Sequence, residues 1–276
     1  MKKLYLLLII ATLTISCEKP EEEVAQVETV CQIQKISYDT GGYYEIFKFD
    51  ANQRLVETTF NYDDEGKLVD LVSTHEYNAT GNLIKTTDNF GWSQNWFYDA
   101  NGAPSRMDFK DDKGELYDQF TFTTDAQKRI TKLVVKSDGT TSTYEYNGPN
   151  GLLSKSEVVW EGKVIDRFVI NSYEQDKNKK SYRMAFKGHV FDPAQSTYNM
   201  IYSDPLNVSN DVFSTSGTLS TQYNEDWSEL TDKTRIYYDY KATRKYNSNN
   251  FVIERTDTDA VEKKTYSKTF SYSNCN

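Results

Sequence analysis

The chain has 276 residues, a formal net charge of −9 and 14% aromatic residues, with 21 tyrosines among them. That acidity argues against nucleic acid as a partner, because such binding depends on neutralising phosphates with Lys and Arg. Only two histidines are present; neither His75 nor His189 sits in a metal-ligand spacing, so no metal and no cofactor is expected.

The first residues read as an export signal. Lys2 and Lys3 form a basic start, and Leu4 to Ile15 is an apolar run, too short to span a bilayer of about 30 Å as a helix. The run ends in Thr14-Ile15-Ser16-Cys17, which resembles the bacterial lipobox. That resemblance implies a signal peptide over 1–16 and a mature chain that begins at a lipidated Cys17, since two or more acyl chains give stable anchoring. Loss of Lys2 and Lys3 would move the charge from −9 to −11. Glu18-Lys19-Pro20-Glu21-Glu22-Glu23 follows and resembles the acidic surface-export signal of Bacteroidetes lipoproteins, with Pro20 interrupting it. The expected location is the outer membrane, lipid-anchored and exposed at the cell surface, with the periplasmic leaflet as the alternative. Residues 17–30 then serve as an acidic tether, and 31–276 as a single β domain.

Two further cysteines, Cys31 and Cys275, lie at the two ends of that domain in alternating segments. In an oxidising envelope an even pair is expected to form a disulfide, here joining the first strand to the last.

Between them a seven-residue pattern recurs: an aromatic, Asp or Asn, two variable residues, Gly/Gln/Asn, one variable residue, then an apolar position. It runs Phe49-Asp50 to Leu55, Tyr62-Asp63 through Gly66 to Leu68, Tyr77-Asn78 through Gly81 to Leu83, and Tyr98-Asp99 through Gly102 to Pro104. Tyr146-Asn147 to Leu152 and Tyr246-Asn247 to Val252 keep the spacing, and weaker copies start at Lys110 and Thr124. Asp or Asn closes a side-chain-to-backbone turn, and the later Gly or Asn accepts φ > 0. The aromatic and the apolar residue then pair across a hairpin. Segments such as Leu55-Val56-Glu57-Thr58-Thr59-Phe60 alternate and favour strands. These motifs resemble the YD repeat of the RHS/YD family, and the chain looks closer to the small YD-like lipoproteins of Bacteroidetes than to the family's large members. Large members of that family wrap toxin cargo or sit at cell surfaces, and some bind carbohydrate.

The turn signals predict an all-β fold, a large antiparallel meander of about 16–19 strands. Accumulated twist curls such a sheet or closes it into a barrel, and the charged and hydroxylated positions along the strands predict a soluble one. Residues 186–235 are less regular and could carry something specific to this protein.

No catalytic constellation stands out, so the chain is not expected to be an enzyme. The aromatics are the better candidates. Trp92 and Trp96 flank Ser93-Gln94-Asn95, and on a strand they share a face. Rings beside hydrogen-bonding side chains suit a sugar, whose C–H faces stack while its hydroxyls are bonded at the edges; Trp160 and Trp227 could extend the surface. The leading expectation is a non-catalytic binding module for a glycan or another envelope component. A structural partner of an envelope protein complex is the alternative, and a hydrolase the third.

Overall fold

The computed structural model describes residues 31–146, 154–171, 218–223, 228–231, 236 and 238–275. Cys17, Asn147, His189 and Trp227 lie outside the described residues, as do the signal peptide, the tether and most of 186–235.

Sixteen strands are described: β1 (Gln32–Tyr38), β2 (Tyr44–Phe49), β3 (Leu55–Asp64), β4 (Lys67–Tyr77), β5 (Leu83–Asp88), β6 (Ser93–Tyr98), β7 (Pro104–Lys110) and β8 (Leu116–Thr124). They continue with β9 (Ile130–Val135), β10 (Thr141–Glu145), β11 (Lys155–Trp160), β12 (Lys163–Ile170), β13 (Thr218–Tyr223), β14 (Tyr238–Tyr246), β15 (Val252–Asp259) and β16 (Lys264–Ser273). Each pairs antiparallel with its neighbours in sequence, and β1 pairs with β16 through Ile36↔Phe270 and Ile33↔Tyr272, so the meander is a closed barrel. Closure removes every unpaired sheet edge. Cys31 and Cys275 are disulfide-bonded beside this seam.

Directly opposed residues share a face, so the ladders sort the wall into an inside and an outside. One set runs Phe47↔Thr58↔Ser73 and Trp96↔Met107↔Phe120↔Val135, and these residues are buried. In a single-layer barrel the inside is the face that loses water. The opposite face carries cross-strand charge pairs such as Lys48–Glu57, Lys245–Glu254 and the chain Glu145–Lys155–Glu157–Arg167. Lys or Arg on a lipid-facing barrel wall costs about 2–4 kcal/mol at the bilayer midplane.

A meander alternates its hairpins between two rims. The chain enters β1 and leaves β16 at one of them, here termed proximal, where β2–β3, β4–β5, β6–β7, β8–β9 and β14–β15 also connect. The inner wall near it is apolar: Leu83, Trp96, Met107, Ile130 and Leu133 form one cluster, and Ile33, Phe47, Leu55, Val252 and Phe270 a second. The other rim is termed distal. Polar side chains also face inward. His75, two residues from the proximal end of β4, is buried and bridges Thr58 (3.3 Å) and Thr86 (3.1 Å) across three strands, which makes it a ladder residue. Farther round, Arg244, Arg255 and Lys268 stand opposite one another on β14, β15 and β16, with Asp257 bonded to Arg255 at 2.7 Å.

The five described proximal hairpins share one geometry. At Asp50, Asn78, Asp99, Asp125 and Asn247 the side-chain Oδ1 accepts the N–H groups two and four residues on, at 2.8–3.0 Å. The fourth residue of each turn has positive φ: Gln53, Gly81, Gly102, Lys128 and Asn250. The expected cross-strand pairs form, as in Phe49↔Leu55, Tyr77↔Leu83 and Tyr246↔Val252. The register slips at each of these pairs, and a tyrosine from the adjoining strand bonds the apolar residue's carbonyl. Tyr77 donates to Leu55, Tyr98 to Leu83, Tyr146 to Ile130 and Tyr272 to Val252, at 2.6–2.8 Å. Burial pushes the Tyr98 phenol up to about 12, and raises that of Tyr77 as well against the pull of Arg54.

Asp63 departs from the seven-residue pattern. Its hairpin turns on two residues, Glu65 and Gly66, both with positive φ, and Asp63 accepts the Gly66 N–H from outside the tip. Glu65-Gly66 is a primed turn matched to strand twist, so this copy shares the motif's letters and not its geometry.

Candidate functional site

The distal rim differs in form from hairpin to hairpin. It holds a two-residue turn at Glu65-Gly66, another at Glu161-Gly162, a longer connection over 260–263, and two copies of the proximal turn at Asp88 and Asp111. Exposed apolar residues gather along it: Leu68, Phe90, Leu116, Tyr117, Trp160 and Val261.

Two of these hairpins build a fixed aromatic corner. Asp88 Oδ1 accepts the N–H groups of Phe90 (2.9 Å) and Trp92 (3.0 Å), which sets the position of Trp92. The indole stacks on Phe109 of β7, with centroids 5.0 Å apart and planes at 25°. Phe109 lies opposite Gln94 on the inner face and packs against the first apolar cluster. Tyr117 of β8 stands edge-on to both rings, at 75° to Trp92 and 87° to Phe109, and is 67% exposed. The result is a floor of two stacked rings with a third ring as its wall.

Gly91 locks the two hairpins together. It has φ +93, and a Cβ there would lie 3.2 Å from Asp112 Cβ and 3.3 Å from Asp112 Cα. The tip of the β7–β8 hairpin therefore abuts the backbone beside Trp92, and glycine suits both the positive φ and the close approach.

The tryptophan candidates fall in three places. Trp92 lies just before β6 and Trp96 within it; Trp96 is 5% exposed and stacks on Phe122 with centroids 5.5 Å apart, so its ring serves the core. Trp160 is exposed on the distal rim at the end of β11, five strands from Trp92. Phe109 and Tyr117 are the partners that sequence reasoning missed. Both are one aromatic among many in alternating segments, and only strand pairing makes them neighbours.

Among the described residues no group of three or more His, Cys, Asp or Glu could hold a metal ion. Asp166 of β12 is an inward carboxyl opposite Val158, and burial pushes it up to about 6 against one bond from the Arg167 N–H. A lone buried acid, with no second group placed to share a proton among the described residues, is not a catalytic pair.

The fold is similar to that of a porin-like protein from Bacteroides uniformis, with a TM-score of 0.54 at 10% identity over 86% of this chain and 96% of that one. The likeness is one of fold alone. A porin-like protein from Bacteroides vulgatus aligns at a TM-score of 0.39 with 12% identity, over 87% of this chain and 98% of that one. The TcdB2-TccC3-TEV toxin chain aligns at 0.32 with 12% identity, over 81% of this chain and 12% of the toxin. No family model matches the chain, and no curated protein matches it.

Proposed function

We propose that this protein is a non-catalytic binding module that takes a glycan at its distal rim and is held to the outer membrane by lipid on Cys17. The observation that carries the reading is the aromatic corner of Trp92, Phe109 and Tyr117, rigid from below and open above. Pre-set rings lose little entropy on binding, and their faces suit the C–H patches of a pyranose. Its position supports the same reading. Cys31 and Cys275 close the proximal rim, so a tether over 17–30 would leave from that end and the corner would face away from the membrane. The charged outer wall fits a globule beside a bilayer and not within one.

The test is binding of the purified full chain, in detergent, to a panel of bacterial and host polysaccharides. A specific hit is expected, lost in Trp92→Ala and in Tyr117→Ala while the stability of the Tyr117 variant stays within about 0.5 kcal/mol of the parent, as for an exposed side chain. Binding that survives both changes would move the site elsewhere. Silence across the panel from a folded protein would shift the reading to a protein partner.

A further inference from the structure

We infer that the glycan taken at this corner is uncharged; the inference rests on the glycan-binding reading above and goes on to the ligand class. The rings define a shape, and the groups around them define a charge. Asp112 and Glu115 are exposed on the hairpin that carries Tyr117, and Asp112 is held against Gly91, beside Trp92, by the abutting tips. On the neighbouring β3–β4 tip, Asp63, Asp64 and Glu65 are exposed as well. Lysines are present on both tips but fewer, so the surroundings of the corner carry net negative charge.

Carboxylates beside a ring are good acceptors for sugar hydroxyls, because a hydrogen bond to an ionised acceptor is roughly twice as strong as a neutral one. The same carboxylates repel a uronate or a sulfate ester. One such like-charge contact at about 4 Å in water weakens binding about fivefold, and added salt screens the effect. A neutral hexose polymer meets the rings and the acceptors without that opposition. The acidic rim therefore selects among glycans, and the aromatic corner supplies the contact.

The experiment uses the full chain in detergent and four polysaccharides, laminarin, dextran, mannan and galactan, each beside its sulfated form. At least one neutral polymer is expected to bind, with its sulfated form at least about fivefold weaker at low salt and the gap narrowing as salt rises. The double variant Asp112→Lys/Glu115→Lys is expected to close or reverse that gap. A sulfated form that binds as tightly as its neutral parent, or a gap untouched by the charge reversal, overturns the uncharged assignment and leaves the glycan reading standing. Failure of all eight polymers to bind a folded protein overturns the glycan reading itself.

Discussion

The two rims of the barrel use the same turn chemistry to different ends. At the proximal rim five described hairpins repeat one geometry, and the tyrosine bonds tie strand to strand: Tyr77 pairs with Leu83 in its own hairpin while its hydroxyl holds Leu55 of the hairpin before. A change in one turn there disturbs two hairpins. The described distal hairpins vary in length and form instead of repeating that linkage. Loops released from a structural role are where binding residues collect. The copy of the turn at Asp88 holds Phe90 and Trp92 by their N–H groups, and the one at Asp111 shapes the hairpin that leads into Tyr117. The uniform rim is thus the base of the barrel, and the variable one is where the proposed binding site lies.

The largest expected effect tests whether the proximal rim holds the barrel shut. Cys31→Ser/Cys275→Ser should lower the urea midpoint, with chain-entropy models assigning about 5 kcal/mol at most to a link of this span, and the parent should show the same loss under reductant. An unchanged midpoint would mean that the β1–β16 ladder closes without its staple.

The inner wall carries a partly buried acid, Asp166, on the distal half of β12. Because the folded-state value of Asp166 is raised to about 6, the folded protein holds that proton more tightly, and stability falls as pH rises from the ordinary carboxylate value through about 6. Asp166→Asn should therefore gain up to about 2–3 kcal/mol at pH 8 and nothing near pH 3.5, as read by thermal melts at both. A gain at acid pH instead would contradict this sign.

A smaller effect compares equivalent turn positions directly. Gly81 of the proximal rim has φ +85, and a Cβ there would meet nothing within 4 Å, while Gly91 of the distal rim faces Asp112. Gly81→Ala should cost only the conformational strain, about 1 kcal/mol. Gly91→Ala should cost roughly 1 kcal/mol more from the contact and weaken glycan binding. Equal costs in urea unfolding would show that the two distal tips do not bear on each other.

Much of the fold is legible in the sequence. Asp or Asn followed three residues later by Gly, Gln or Asn marks the turns, because every bond in them joins atoms within five residues. Even the copies at Lys110 and Thr124, which lack the aromatic, form the turn at Asp111 and Asp125. The turn at Asp88 is hidden from the seven-residue pattern because Thr87 and Ser93 replace the aromatic and the apolar flank, although the Asp and Gly91 are in place. Period-two spacing predicts one face for Trp92 and Trp96. It says nothing of depth, and four residues of chain separate a ring in the core, Trp96, from a ring at the rim, Trp92.

By itself the sequence determined the turns, the alternation of each strand and the cysteine pair, since local hydrogen bonds and covalent chemistry need no distant partner. Only the tertiary structure decided which face of each strand lies inside, because alternation defines two faces and curvature chooses between them. Antiparallel pairing in register then laid β6, β7 and β8 side by side with their tips at the same rim. That brought Trp92, Phe109 and Tyr117 into one corner, a contact that no spacing along the chain encodes, because it depends on register between strands.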